Sequence, residues 1–88
     1  MARIEIYTAP TCPYCQKAKR LFDSKGVTYL EIDVADQPEL RESMKRRAGG
    51  RQSVPQIFID DRHIGGCDDL HTLDVRGELD PLLERAIS

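Results

Sequence analysis

No run of apolar residues in this chain approaches the ~18–20 that a membrane-spanning helix needs, so no membrane partner is expected. The amino terminus, "MARIEIYT", alternates like a strand and has neither an apolar h-region nor a cleavage site. No signal peptide is therefore expected, and the cytoplasm is the default location. Basic charge is not in excess either. Thirteen Lys and Arg stand against 15 Asp and Glu, a net charge of -2, which argues against nucleic acid as a partner. Cysteine is scarce and odd in number, with only Cys12, Cys15 and Cys67; a secreted disulfide framework prefers an even count and a denser supply. Repeats, low-complexity stretches and interdomain linkers are missing, so residues 1–88 read as a single domain, with a monomer as the default.

What is present suits a small globular protein. Apolar residues make up 40% and charged residues 32% of the 88 positions, enough for one core without a staple. "RIEIYT" (3–8) alternates as a strand, and "PYCQKAKRLFDSK" (13–25) carries Cys15, Ala18, Leu21 and Phe22 at helical spacing, with Pro13 at a first helical position and Gly26 as a stop. "VTYLEIDV" (27–34) is a second strand. Asp36 is a candidate N-cap for a thinly apolar helix over 38–48 with Leu40, Met44 and Ala48. "PQIFID" (55–60) and "RHI" (62–64) form a hairpin, and helical patterns follow over 68–75 and 78–87. The order β-α-β-α-β-β-α(-α) implies an α/β fold, a small four-stranded mixed sheet flanked by helices. Charges gather unevenly: Lys17, Lys19, Arg20 and Lys25 in one group, Lys45, Arg46, Arg47 and Arg51 in another. Most belong to solvated helix faces, but both groups are placed to border a site for a small anion.

The chemistry centres on "TAPTCPYCQ" (8–16), two cysteines three positions apart where a strand turns into a helix. Free amides and the macrodipole at a helix N-terminus favour an anion, and that location lowers a thiol pKa from ~8.5 toward ~3.5–7.5. The two sulfurs are not equivalent. Cys15 falls on the apolar stripe and points inward, where burial disfavours the thiolate. Cys12 is the exposed nucleophile, and Cys15 the sheltered thiol that attacks a mixed disulfide. The competing readings are a structural pair and a zinc site. Zinc wants four ligands, and the available set, Cys12, Cys15, Cys67 and His63, is poorly spaced. His63 and His71 read as surface residues rather than ligands or bases.

Three motifs, in order and over nearly the whole chain, complete the picture: "CPYC" at 12–15, "SVPQIFI" at 53–59 and "HIGGCDDL" at 63–70. With them the sequence resembles the glutaredoxins, most closely the short bacterial dithiol type, and the resemblance implies a thioredoxin-like fold. It also implies a glutathione-dependent thiol–disulfide oxidoreductase with Cys12 and Cys15 as its dithiol. Glutathione is then reductant and substrate, and the partners are disulfide-containing or glutathionylated proteins. By the same resemblance the Val54–Pro55 bond is cis, and the Val54 backbone pairs with the cysteinyl part of glutathione. Pro13 and Tyr14 flank the site. Gly66 and the amides of Cys67 and Asp68 receive the γ-glutamyl carboxylate, and Asp68 or Asp69 its ammonium. Arg47 is the best match for the cation facing the glycyl carboxylate, ahead of Lys17, Arg46 and Arg51. No metal is expected.

The chain departs from many such relatives in having Ala9 where they carry a lysine, three positions before the first cysteine. Two alternatives within the same family pattern are a [2Fe–2S] module, disfavoured by Pro13 and Tyr14, and a redoxin reduced by thioredoxin reductase.

Overall fold

The computed structural model describes residues 3–84. The end of the last helical pattern, at 85–87, lies outside them. Strand β1 (Ile4–Thr8) leads into helix α1 (Pro13–Ser24), and β2 (Leu30–Asp33) into α2 (Pro38–Arg47). A hairpin of β3 (Gln56–Ile59) and β4 (Arg62–Gly65) precedes α3 (Cys67–Val75) and α4 (Leu79–Glu84). The strands order as β2-β1-β3-β4, with β1 parallel to β2 and antiparallel to β3. This is the mixed sheet the element order implies, and it sets the C-terminal end of β1 beside the N-terminal end of β3.

Local chemistry explains the joints. Pro13 sits in the first turn of α1, where a missing N–H costs no bond, and Gly26 leaves the helix at φ 70°, a left-handed exit that favours glycine. The β3–β4 connection is two residues, Asp60 and Asp61, both left-handed at φ 51° and 65°. That is the twist a tight hairpin needs, and aspartate tolerates it. The Asp60 carboxylate accepts the Arg3 amide at 2.8 Å, closing the turn against β1. Asp36 is not the cap of α2. It adopts φ 58° in the turn before the helix, and Gln37 takes the N-cap position without a side-chain bond; the first turn is set by Pro38 and Glu39 instead.

Both faces of the sheet are covered. On one, Ile4, Ile6, Ile57 and Ile59 pack with Ala18 and Phe22 of α1, Cys67 and Leu70 of α3, and Leu79 and Leu83 of α4. On the other, Tyr7 and Phe58 pack with Val34, Met44 and Ala48 under α2. All five residues of β1 are buried, Glu5 and Thr8 included. Among the described residues no helix is long and apolar enough to cross a membrane.

Candidate active site

Cys12 is the N-cap of α1. Its Sγ accepts the Cys15 amide at 3.4 Å, so the sulfur lies where the free amides of the helix converge. Across the cleft the Sγ–H points at the Val54 carbonyl oxygen, 3.7 Å away. Cys15 faces inward with Ala18 and Phe22 and has no exposed surface. Burial, and then the hydrogen bond with the Cys12 sulfur, push its thiol up to about 12, against a backbone hydrogen bond from Ala9 and the charge of Lys19. The asymmetry expected from the helical stripe is thus built into the fold: a half-buried sulfur at the helix start, and a fully buried one a turn later. All three thiols are free.

Lys19 is engaged by an acid of β2. Its Nζ meets Glu31 Oε2 at 3.0 Å, and Thr8 Oγ1 donates to the same oxygen at 2.8 Å. The carboxyl of Glu31 is held low by those two donors, Lys19 first.

A cleft of about 210 Å³ runs from Tyr14 and Val54, the residue that faces the Cys12 sulfur, to the start of α3. Tyr14, more than half exposed, forms one wall. Ser53, Val54 and Pro55 form the floor, with the Val54–Pro55 peptide cis. Gly66, Cys67, Asp68 and Asp69 close the far end at the start of α3. Gly66 caps that helix without a side chain, so its first-turn amides stay open to an anion. The Asp69 carboxylate reaches back to accept the Gly66 amide at 2.9 Å and also accepts from Arg51 Nη1 at 3.2 Å. Both contacts, the amide first, hold that carboxyl below the usual range. Close packing explains the first of the paired glycines. Gly65 sits at φ 118°, and a Cβ on it would collide with the Asp69 carboxylate. A Cβ on Gly66 would only touch the Pro55 carbonyl oxygen, at 3.4 Å, so the steric demand for glycine falls on Gly65.

The structure brings most sequence-predicted residues to this cleft but not Arg47. The Arg47 guanidinium lies on the α2 side of the sheet, bonded to both oxygens of Glu5 at 3.2 and 3.0 Å, to the Tyr7 hydroxyl at 2.9 Å and to Asp61 at 3.3 Å. It covers the Phe58 ring, 4.0 Å from its centre. A guanidinium so engaged is committed to the core, because withdrawing it would leave the buried Glu5 carboxylate only the exposed Arg3, 3.7 Å away. The cation that lines the cleft is Arg51, four residues on, past the Gly49–Gly50 break. Cys12, Pro13 and Cys15 are not among the lining residues: the two cysteines stand at the start of α1 beside the cleft, and Pro13 acts through the first turn of that helix. Nor are the histidines simply surface groups. His63 is half-buried, stacked on Phe58 at 5.0 Å and bonded to Gln56, and burial and then the charge of Arg51 push its imidazole down. His71 is partly buried, with an Nε2 that finds no partner. Among the described residues, no group of three His, Cys, Asp or Glu side chains is arranged to hold a metal ion.

A dithiol at a helix start, facing the residue before a cis proline, is the geometry of disulfide exchange. Comparison with known proteins agrees with it. The glutaredoxin family model matches residues 4–64. The chain belongs to the glutaredoxin family. It is 58% identical to glutaredoxin 3 of Escherichia coli K12 over 96% of its own length and 100% of that protein. The solution structure of a Brucella melitensis glutaredoxin matches with a TM-score of 0.82 at 52% identity, over 94% of this chain and 89% of that one. A buckwheat glutaredoxin–glutathione complex matches with a TM-score of 0.85 at 31% identity, over 96% and 78%. Like other glutaredoxins, the chain is a thiol–disulfide oxidoreductase with a thioredoxin-like fold.

Proposed function

We propose that the chain uses glutathione both as reductant and as the recognised half of its mixed-disulfide substrates, acting in the cytoplasm as a monomer. The observation that carries this reading is a backbone edge shared by two features: the Val54 carbonyl faces the Cys12 sulfur, and Val54 lines the cleft that ends at the start of α3. An extended tripeptide laid there meets a backbone edge at Val54 for its cysteinyl unit. The amides of Cys67 and Asp68 suit its γ-glutamyl carboxylate, and Asp68 or Asp69 its ammonium. Of the cations named for the glycyl carboxylate, Arg51 is the one that lines the cleft, and it would leave its exposed pair with Asp69 to take that role, whereas Arg47 is held by the buried Glu5. Tyr14 shapes entry.

In the exchange, the Cys12 thiolate attacks the glutathione sulfur of a glutathionylated protein. The S–S bond breaks, the protein thiolate departs, and Cys12 is left in a mixed disulfide with glutathione. A second glutathione thiolate attacks the glutathione sulfur of that disulfide, giving oxidised glutathione and free Cys12. With a protein disulfide, Cys12 forms the mixed disulfide, and Cys15 attacks the Cys12 sulfur to release the protein as a dithiol. The resulting 12–15 disulfide is then reduced by two glutathiones. Cys15 stays protonated until needed, which suits a resolving thiol.

The test is glutathione-dependent reduction of a small mixed disulfide by wild type, Cys12→Ser and Cys15→Ser. Cys12→Ser is expected to be inactive, and Cys15→Ser active on glutathionylated substrate but stalled on protein disulfides. Reduction driven by thioredoxin reductase and not by glutathione would overturn the reading. So would visible cluster absorbance in freshly purified protein together with no exchange activity.

A further inference from the structure

We propose that Gln56 and His63 are positioning residues that clamp the Ser53–Val54 backbone in place beside Cys12. The inference rests on the glutathione reading of the cleft. Gln56 is the first residue of β3 and has no exposed surface, an expensive place for an amide unless every polar atom is matched. Its side chain turns back across Val54 and Pro55, and Nε2 donates to the Ser53 carbonyl at 3.0 Å and to Ser53 Oγ at 3.3 Å. Its Oε1 lies 2.8 Å from His63 Nε2.

The directions of these bonds are forced. Turning the amide over would set Oε1 against the Ser53 carbonyl, two acceptors facing one another. Oε1 therefore faces His63, and an acceptor there requires a hydrogen on His63 Nε2. The imidazole is in turn fixed by its stack on Phe58, its neighbour across the β3–β4 ladder. A line of contacts thus runs from β4 through Gln56 to the loop, with each member oriented by the next. It ends at Ser53, adjacent to the residue whose carbonyl oxygen meets the Cys12 sulfur. An apolar residue at position 56 would fill the same buried place opposite Tyr7 in the β1–β3 ladder, but it would not hold the Ser53 carbonyl. A peptide that pairs with the Val54 backbone needs that backbone held still, because ordering it at binding subtracts from affinity.

The experiment compares wild type, Gln56→Leu, His63→Phe, which keeps the ring stack but not the donor, and His63→Gln, which can still donate to Gln56. Steady-state kinetics with a glutathionylated peptide and glutathione are read alongside backbone amide nitrogen order parameters at residues 52–54 of the free proteins. The expected result is lower order parameters in Gln56→Leu and His63→Phe, with KM for the glutathionylated peptide raised about fivefold, the equivalent of one lost hydrogen bond. Values of kcat should stay within about twofold of wild type, since the interaction lost acts in binding. His63→Gln should restore both readouts toward wild type. Unchanged order parameters in Gln56→Leu overturn the clamp. Lower order parameters with an unchanged KM overturn its role in positioning. If Gln56→Leu does not fold, the two His63 variants decide alone by the same criteria. A wild type that does not saturate with the glutathionylated peptide overturns the glutathione reading of the cleft, and the positioning role with it.

Discussion

The two faces of the sheet are made from the same strands and are built on opposite principles. Toward α1, α3 and α4 the strands present isoleucines, and the layer closes on Phe22, Leu70 and Leu79. Toward α2, β1 and β3 present Glu5, Tyr7, Gln56 and Phe58, and the layer is laced by Arg47 and His63. The difference follows from the covering helices. On α2 only Met44 is fully buried, too little to cover the sheet by itself, and polar side chains that satisfy one another occupy the remainder. Each face then serves the site differently. The apolar side buries Cys15 and keeps it a thiol; the polar side supports the loop that faces Cys12.

The contrast is broken most severely by Phe22→Ala. The ring has no exposed surface, and removing it should cost about 3–5 kcal/mol, seen as a large fall in the denaturation midpoint. Arg47→Met should come next, at about 2–3 kcal/mol, because it leaves the buried Glu5 carboxylate only the exposed Arg3, 3.7 Å away, while Arg47 itself is partly exposed. The double variant Arg47→Met, Glu5→Gln should recover part of that loss. This pair also sets a pH signature. Hydrogen bonds from Arg47 hold the Glu5 carboxyl below its ordinary value. Its contribution to stability is therefore full above the unfolded carboxylate pKa and is lost as pH falls through the lower folded one. Denaturation measured from about pH 7 down to about pH 3 should show a shallower acid loss in Arg47→Met than in wild type. The smallest effect is expected from Lys19→Met on the apolar side. Lys19 lowers the pKa of the Cys15 thiol, so its removal should slow release of protein disulfides by about two- to threefold. Turnover of glutathionylated substrate, which bypasses Cys15, should change less.

Much of this was legible in the residues. The CPYC spacing at a strand-to-helix joint, the stripe of Cys15, Ala18 and Phe22 that buries the second sulfur, and the glycines before α3 are all local patterns, and the structure places each where its spacing predicts. The alternation of "RIEIYT" was legible too, but it conceals the second covered face. A strand buried on both sides ordinarily reads as a continuous apolar run, whereas here Glu5 alternates with Ile4 and Ile6 as though it met water. The resemblance, rather than any local pattern, assigns Arg47 to the ligand, and nothing near it in the chain points to Glu5. The acid that claims it is 42 residues away in the chain, and no local pattern connects the two. His63 escaped for the same reason: its partner is seven residues back, on the neighbouring strand.

The sheet order has a consequence of another kind. Among the described residues, β2 and β4 form its edges, and each is four residues long. Glu31 and Asp33 stand on one and Arg62 on the other. A foreign strand laid along either edge would gain only a short ladder and would have to strip water from those charges. The domain is thereby guarded against edge-to-edge growth into fibrils, and stacking in a crowded solution would need some other surface.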